Sequence, residues 1–395
     1  MIVHQYFYVD TRVRRYVEAL ANADVEVDVI CVNKAGHTPD PVHSNIHVYR
    51  IPLSRFSEDK RNYLVEYALA FFWYMLWLLP LYLIRKHAVI HVHNMPDFLV
   101  FTTLIPRLMG ARIILDIHDP MPEFYMSKYA CKKANAIGRF MGIQEQLSVR
   151  FANTVITAND NFKRNLIRRG TPEEKITVIN NVANTSVFDR TRYVAERQAS
   201  REHFTMIYPG TFAPRYGLDI PIRALPRLIP KIPHIRLLMI GARGGDTNDL
   251  IGLANELGVS AFVEIRPTLP MEHIPREMAL ADVGIYTALP DPHMNIATPT
   301  KVLEYAAMGI PVVAARLPVL ENMFSERALR FFEPGNVAEF AAGVLELYEH
   351  PTHRAELVHN IDEQFLRIYG WENEIQKYFT LIKYLLEQDG RVTVS

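Results

Sequence analysis

Cysteine is scarce. Cys31 and Cys131 are the only two in 395 residues, too few for a disulfide framework and without the paired spacing of a zinc site, which fits a reducing compartment. Excess charge is also missing: 43 basic against 43 acidic side chains leave no long-range field to attract nucleic acid or an anionic surface. Partners must therefore be recognised by local chemistry. The chain has no short-period repeat, no low-complexity segment and no signal-peptide pattern at its start. Walker loops, Gly-x-Ser-x-Gly elbows and catalytic-cysteine contexts are absent, which disfavours the chemistries those motifs serve.

What is present is length and alternation. At 395 residues the chain exceeds one ordinary core and suits two domains. Strand and helix patterns alternate almost throughout, which predicts parallel sheets covered by helices on both faces. The first series runs through Ile2–Val3, a helix capped by Asp10 or Thr11, and strands at Val25–Val32, Ile46–Ile51, Val89–Val92, Arg112–Ile117, Val155–Ile156 and Ile176–Ile179. Helices are expected over Asp97–Met109 and Asp160–Arg169, stopped by Gly110 and Gly170. The two-residue opening strand is short for such a sheet, as a trimmed N-terminus would make it. From Asn184 to His203 the apolar rhythm lapses, as in a linker. A second series then begins at Met206, and its closing helices, Val337–His350, Thr352–Ile368 and Trp371–Leu386, have no strand after them. The expected division is residues 1–185, a linker at 186–203, and 204–370, with the helix at 371–390 crossing back onto the first domain.

One long apolar run, Tyr63–Ile84, has the length of a membrane span but is interrupted by Glu66 and Pro80. The foremost reading is a largely buried core helix. The second is a helix lying in a membrane interface, because Trp73, Tyr74, Trp77 and Tyr82 are followed by Arg85 and Lys86 as an interfacial anchor would be. A true span ranks last.

The densest chemical signal is Thr298–Ala314, TPTKVLEYAAMGIPVVA. It reads as a helix with Thr298 as cap, Pro299 in the first turn and Gly309 as stop, followed by a buried strand. Such a helix start is a seat for phosphate, Lys301 adds a cation, and Glu304 one turn on could accept from two hydroxyls, a set that suits a sugar nucleotide. Ligands of open parallel sheets sit beyond the strands' carboxyl ends, so the residues just after each strand deserve weight. After the first strand of the second series come Gly210, Thr211, Arg215, Tyr216 and Gly217; after the second come Gly241, Arg243 and Gly244. Glycines let backbone approach phosphate and arginine can grip it, but no acidic residue follows as a dinucleotide site requires, which disfavours nicotinamide chemistry. In the first series, His118, Asp119 and Glu123 follow a strand among Pro120 and Pro122. The plain alternative is a loop histidine hydrogen-bonded to Asp119. His91 and His93 share one strand face at a spacing compatible with metal, yet no third ligand is evident. Asn94 and Asp97 could bind hydroxyls, and Tyr8, Asp10 and Arg12 occupy the first strand-helix turn.

With these residues in view, the chain resembles a family 4 glycosyltransferase of the GT-B fold over nearly its full length. The matching pieces are YVDTRVRRYVEAL from Tyr8, HVHNMPDFLVF from His91, LDIHDPMPEFY from Leu115, KITVINN ending at Asn181, YPGTFAPRYGLDIPIRAL from Tyr208 and PTKVLEYAAMGIPVVA from Pro299. The resemblance implies two Rossmann-like doubly wound parallel-sheet domains facing each other across a cleft. It also implies transfer of a sugar from a nucleoside diphosphate sugar to an acceptor hydroxyl with retention of configuration, without an obligatory metal or other cofactor. His118 matches the family histidine near the anomeric carbon and Glu304 the ribose-holding glutamate. The donor set is then Gly210, Thr211, Arg215, Gly217, Gly241, Arg243, Arg266, Thr298, Thr300, Lys301 and Glu304. The acceptor set is Tyr8, Arg12, Asn94, Asp119 and Glu123.

The chain departs from the family pattern in three places: the first glutamate position is Ile296, and Thr211 and Tyr216 replace the Arg and Lys of the glycine turn. A catalytically silent nucleotide-sugar-binding protein stays open for that reason, and a sugar-nucleotide epimerase stays open because it shares the two-half architecture. The expected partners are a nucleotide sugar and a glycan or lipid-linked acceptor, with no nucleic acid and with peripheral membrane contact through 63–86. The expected location is the cytoplasm or the cytoplasmic face of a membrane.

Overall fold

The computed structural model describes residues 1–8, 10–33, 43–53, 60–128, 136–198, 202–242, 245–363 and 369–387. The chain divides into two compact units, Met1–Asn181 with Glu372–Ser395, and Val182–Trp371.

The first unit holds seven strands: β1 (Ile2–Val3), β2 (Val27–Val32), β3 (Ile46–Ile51), β4 (Val89–His93), β5 (Arg112–Ile117), β6 (Thr154–Thr157) and β7 (Ile176–Val178). They pair in the order β3-β2-β1-β4-β5-β6-β7, every pairing parallel. The apolar runs follow from burial on both faces: β2 is buried along its whole length and β5 at all but its first residue. Short as it is, β1 is central, bonded to β2 on one side and β4 on the other. The order reverses there, which makes the ends of β1 and β4 the place where such sheets hold ligands.

Asp10 caps the helix Thr11–Asn22 by accepting from the Val13 amide at 3.0 Å. The segment expected as one helix from Asp97 to Met109 is a 3₁₀ turn over Asp97–Thr103 followed by an α-helix over Leu104–Leu108. The hydroxyls of Thr102 and Thr103 donate back to the carbonyls of Leu99 and Val100 at 2.7 and 2.6 Å, competing with α-helical bonding. The closing helix, Trp371–Glu387, packs on the first unit. Its Glu374 carboxylate accepts from the amide and side chain of Asn180 at 2.7 and 3.0 Å, and the Tyr378 ring lies 4.5 Å from that of Tyr16.

The helix Lys60–Arg85 is not largely buried, contrary to the foremost expectation. Its stripe of Glu66, Ala70, Tyr74, Leu78 and Tyr82 is buried, whereas Val65, Leu69, Phe72 and Leu76 are exposed. Glu66 meets His4 Nε2 at 2.9 Å, and the Tyr74 hydroxyl donates to the Val3 carbonyl at 2.8 Å. By composition the helix could cross a membrane. With one side bonded to a sheet, it cannot be surrounded by lipid.

The second unit repeats the scheme with six parallel strands: β8 (Phe204–Pro209), β9 (Ile235–Ala242), β10 (Val263–Pro267), β11 (Val283–Tyr286), β12 (Val312–Ala315) and β13 (Arg330–Phe332), in the order β10-β9-β8-β11-β12-β13. The expected linker belongs to this unit. Phe188 is 3% exposed in its core, and Arg190 donates to the carbonyls of Ala306 and Ala307 at 2.8 and 2.9 Å while pairing with Asp362 at 2.7 Å. Arg190 thus satisfies the orphan carbonyls at a helix end, a role that a hydrophobicity pattern does not register. The helix expected over Thr352–Ile368 is observed over Pro351–Ile361, and 364–368 lie outside the described residues.

The helix Thr300–Met308 is tied to the middle of this sheet. Tyr305, fully buried, donates to the carbonyls of Ile207 on β8 and Ile285 on β11 at 2.8 and 3.3 Å. Its ring fills the space above Gly284, where a Cβ would come within 2.6 Å of it. Tyr305→Phe leaves the shape and removes the bonds, so it should cost about 1–2 kcal/mol. Thermal unfolding should show a midpoint lowered by about 3–6 °C.

Candidate functional site

In the second unit, the expected donor residues gather at the carboxyl ends of β8 and β9. Gly210 (φ 155°) and Gly241 (φ 133°) lie backbone against backbone: a Cβ on Gly241 would stand 2.0 Å from the Gly210 carbonyl oxygen. On the other side of Gly210 runs the Lys301 side chain, whose Cε would be 2.0 Å from a Cβ there. Only glycine fits either position. The Lys301 ammonium lies 4.8 Å from the ring centre of Tyr216 and 5.3 Å from that of Tyr208. Among the described residues no carboxylate pairs with it. Tyr208 in turn donates to the Thr211 carbonyl at 3.0 Å, and Arg215 lies 5.3 Å over the Tyr216 ring. Gly217 is left-handed (φ 57°) and packs on the Thr287 carbonyl, while the Thr287 hydroxyl donates to the Tyr216 carbonyl at 2.8 Å.

The helix carrying Lys301 and Glu304 starts later than expected. Its cap is Pro299, with no side-chain cap bond, so Thr298 is not the cap; Gly309 (φ 64°) closes the far end as foreseen. Proline at the cap has no side-chain acceptor for the first-turn amides, and only its carbonyl takes part, accepting from the Val302 amide at 2.9 Å. Thr298, Thr300 and Glu304 are half-buried. One of the expected donor residues does not join the group. Arg266, on the outer strand β10, pairs with Glu264 and with Glu277 at 2.9 Å, so its guanidinium belongs to a surface ion ladder. Arg243 lies outside the described residues. The loop after β11, of which the sequence singled out Ile296 and Thr298 but not Asp291, is organised by Asp291, whose Oδ1 accepts from the amides of His293 and Met294 at 2.8 and 2.7 Å; Ile296 is half-buried in it.

In the first unit, His118 stands just beyond β5, half-buried, with Nδ1 buried and without a hydrogen-bond partner among the described residues. No bond to Asp119 holds it. Its loop is clamped by Asn94, whose carbonyl accepts from the His118 amide at 3.2 Å and whose amide donates to the Asp119 carbonyl and to Asp97 at 2.6 and 3.0 Å. Asn94, expected among the acceptor residues, is 4% exposed and anchors the loop through these bonds. Arg12, of the same set, is buried likewise. It is 4% exposed and donates to both oxygens of Asp116 at 2.8 and 3.2 Å and to the Ile179 carbonyl at 3.1 Å, joining the helix after β1 to β5 and to the residue that follows β7. Glu123 accepts from Arg169 at 2.6 Å and Asn165 at 3.0 Å, so it too is engaged within the unit. Tyr8 and Asp119 are half-buried.

Asp116 is also the third member that the His91 and His93 pair lacked in the sequence. One oxygen lies 3.9 Å from His91 Nε2 and 3.4 Å from His93 Nδ1, all three residues buried. The strand pairing of His93 with Asp116 made this contact, which spacing along β4 could not show. The same oxygen carries Arg12 at 2.8 Å, so a cation would have to displace a guanidinium. Burial works to raise the Asp116 carboxyl, but Arg12 and the nearby imidazoles hold it well below the usual carboxylate range. Burial and His93 push His91 well below an ordinary histidine. The donor set fits a buried ion pair flanked by neutral rings better than a metal centre.

The comparisons with known proteins match this arrangement. A model described as glycosyl transferase 4-like domain covers residues 9–182, and one described as glycosyl transferases group 1 covers 203–350. Two parallel α/β units of this topology define a GT-B glycosyltransferase architecture, and the chain belongs to glycosyltransferase family 4. Among curated relatives, the GDP-mannose-dependent alpha-(1-6)-phosphatidylinositol monomannoside mannosyltransferase of Mycolicibacterium smegmatis is 32% identical over 31% of this chain and 32% of its own. The D-inositol 3-phosphate glycosyltransferase of Acidothermus cellulolyticus is 25% identical over 52% of this chain and 47% of its own. The chain thus spans a third to a half of those relatives' length. The solved sucrose-phosphate synthase of Thermosynechococcus elongatus shares the fold with a TM-score of 0.76 at 18% identity, over 95% of this chain and 93% of that one. Anabaena HepE in complex with UDP does so with 0.71 at 15%, over 97% and 99%.

A pH dependence follows from Asp97, which is fully buried below the His118 loop. Desolvation pushes its carboxyl up to about 6, against the opposing bond from Asn94. Folded protein then holds a proton that unfolded chain releases between about pH 4 and 6, so stability at this residue falls as pH rises through that window. Asp97→Asn removes the titration. The variant should exceed the parent by about 2–3 kcal/mol at pH 7.5 and lose that advantage toward pH 4, as denaturant titrations at the two values would measure.

Proposed function

We propose that the protein transfers a glycosyl group from a nucleoside diphosphate sugar to a hydroxyl of a glycan or lipid-linked acceptor, with retention of configuration. The observation that carries this reading is Lys301: an ammonium without a carboxylate partner among the described residues, laid over the Gly210 turn on two tyrosine rings. A diphosphate is the natural counter-charge for such a cation beside close-approach backbone. Glu304, one turn along the same helix, would accept from the ribose hydroxyls, and Arg215 would share the phosphate charge. His118 would act near the anomeric carbon, its loop held by Asn94. The names of relatives point the same way: one is GDP-mannose-dependent and another was solved with UDP-glucose. On this reading charge stabilisation comes from protein groups, so no obligatory metal is needed, and the reaction takes place in the cytoplasm or at its membrane face, with the helix at 63–86 in peripheral contact with lipid.

The test is transfer by purified protein from a panel of UDP and GDP sugars, with product anomers assigned by NMR. Activity should survive EDTA. Lys301→Ala, His118→Ala and Glu304→Ala should each lower kcat/KM by about 100-fold or more with unchanged melting temperature. Gly210→Ala should abolish donor binding, because its Cβ expels the lysine. Binding of a nucleotide sugar without transfer or hydrolysis would favour the silent binder that Ile296 raises, and epimerised donor without acceptor would favour the epimerase. Unchanged rates in the Lys301 and His118 variants would refute the assignments.

A further inference from the structure

The helix Lys60–Arg85 has a face that the fold does not use. Val65, Leu69, Phe72, Leu76 and Leu83 recur at helical spacing away from the sheet, each 40–60% exposed, where a helix of a water-soluble domain carries polar residues. Its neighbours extend that face. The Phe98 ring, just after β4, lies 6.2 Å from those of Tyr67 and Phe71, and the Tyr82 hydroxyl donates to the Met109 carbonyl at 3.3 Å. On the far side, Phe101 lies 5.1 Å from Phe151, the last residue of the helix Ala136–Phe151, and Arg107 lies 4.7 Å over that ring. Three segments therefore lie side by side, as the right-handed crossovers from β3 to β4, β5 and β6 require. Each presents apolar side chains outward: Leu104, Ile105 and Leu108 (79% exposed) on the middle one, Phe140 (67%), Ile143 and Leu147 on the third.

Charge completes the pattern. The three segments contain three acids, Glu66, Asp97 and Glu145, all 0–1% exposed. Their outward charges are cationic: Arg139 and Arg150, with Lys86 directly after the first helix, while Arg85 is paired with Glu26 at 3.2 Å and Asp28 at 3.5 Å. Among the described residues no carboxylate pairs with Lys86, Arg139 or Arg150. By helical spacing, Arg139 and Arg150 fall on the same side as Ile143 and Leu147. A broad apolar face whose own segments carry cations and no exposed acid complements an anionic bilayer surface, into which apolar side chains sink while Lys86, Arg139 and Arg150 meet headgroup phosphates.

We infer that these three segments together seat the first unit in the headgroup region of an anionic bilayer, with the helix Lys60–Arg85 lying in the membrane plane. The inference rests on the peripheral contact proposed above for 63–86 and widens it to residues well outside that helix. Flotation of the purified full chain with phosphatidylcholine vesicles, with and without phosphatidylglycerol, tests it. The protein should float with the anionic vesicles. Leu108→Ser with Phe140→Ser should lower partitioning at least about tenfold, as should Phe72→Ser with Leu76→Ser, with melting temperatures unchanged or raised. Arg139→Glu with Arg150→Glu should remove the preference for phosphatidylglycerol. Loss of binding only in the Phe72 and Leu76 variant would leave the single-helix contact standing and overturn the three-segment face. Failure to float with any vesicle would overturn both, and a dimer dissociated by Phe140→Ser without vesicle binding would assign the face to a second copy. None of these readouts depends on sugar transfer.

Discussion

The second unit depends on a contact from which side chains are excluded. Gly210 and Gly241 touch through their backbones, and the lysine of a neighbouring helix closes the stack from the other side. Any Cβ at either glycine would push β8 and β9 apart or lift Lys301 off the turn. The rest of the arrangement serves that fit. Tyr305 fixes the helix to the carbonyls of β8 and β11, Gly284 leaves room for the ring, and Arg190 satisfies the helix's last carbonyls. A helix of nine residues is marginal by itself, so its position is set by these anchors and not by its propensity.

The first unit solves a different problem, holding ionic groups inside a sheet. Arg12 and Asp116 are almost wholly removed from water, a state made tolerable by the bidentate pairing and by the further bond from Nη2 to the Ile179 carbonyl, which still leaves Arg12 Nη1 without a partner among the described residues. Around them stand neutral His91 and His93 and the rings of Tyr16 and Tyr378, which bring the closing helix into the same cluster. Next to it, Arg169 serves both Glu123 and Glu145, while Asp97 is left with the Asn94 amide as its bond. Polar groups that look like ligand contacts in a linear reading are here the framework below the His118 loop. Among the described residues, His118 at the end of β5 keeps its Nδ1 without a hydrogen-bond partner.

The helix Lys60–Arg85 shows why apolar composition alone is ambiguous. A helix apolar all round can be buried, can span a bilayer or can lie between protein and lipid, and the three differ only in what each side touches. The bonds from Glu66 and Tyr74 to His4 and Val3 decide for one side. The exposed opposite side is shared with segments far away in sequence, which became visible as one surface only after the crossovers brought them together.

Alternation of apolar runs was enough to read two parallel sheets and most strands to within a residue or two, because a strand covered on both faces must be apolar throughout. Glycine punctuation placed the turn at Gly210 and the stop at Gly309, since left-handed or crowded backbone leaves almost no other residue. The Lys301 and Glu304 pair was legible for the same reason: both lie on one short helix, one turn apart. Partners distant in the chain were not legible. That Arg12 and Glu123 are engaged internally, that Arg266 belongs to an ion ladder, that Asp116 joins the two histidines of β4 and that Arg190 caps a helix all depend on which strands and helices become neighbours. Local sequence sets the backbone's preferences residue by residue, whereas the fate of a charge is set by the groups that burial brings within a few ångströms of it, and only the fold decides those.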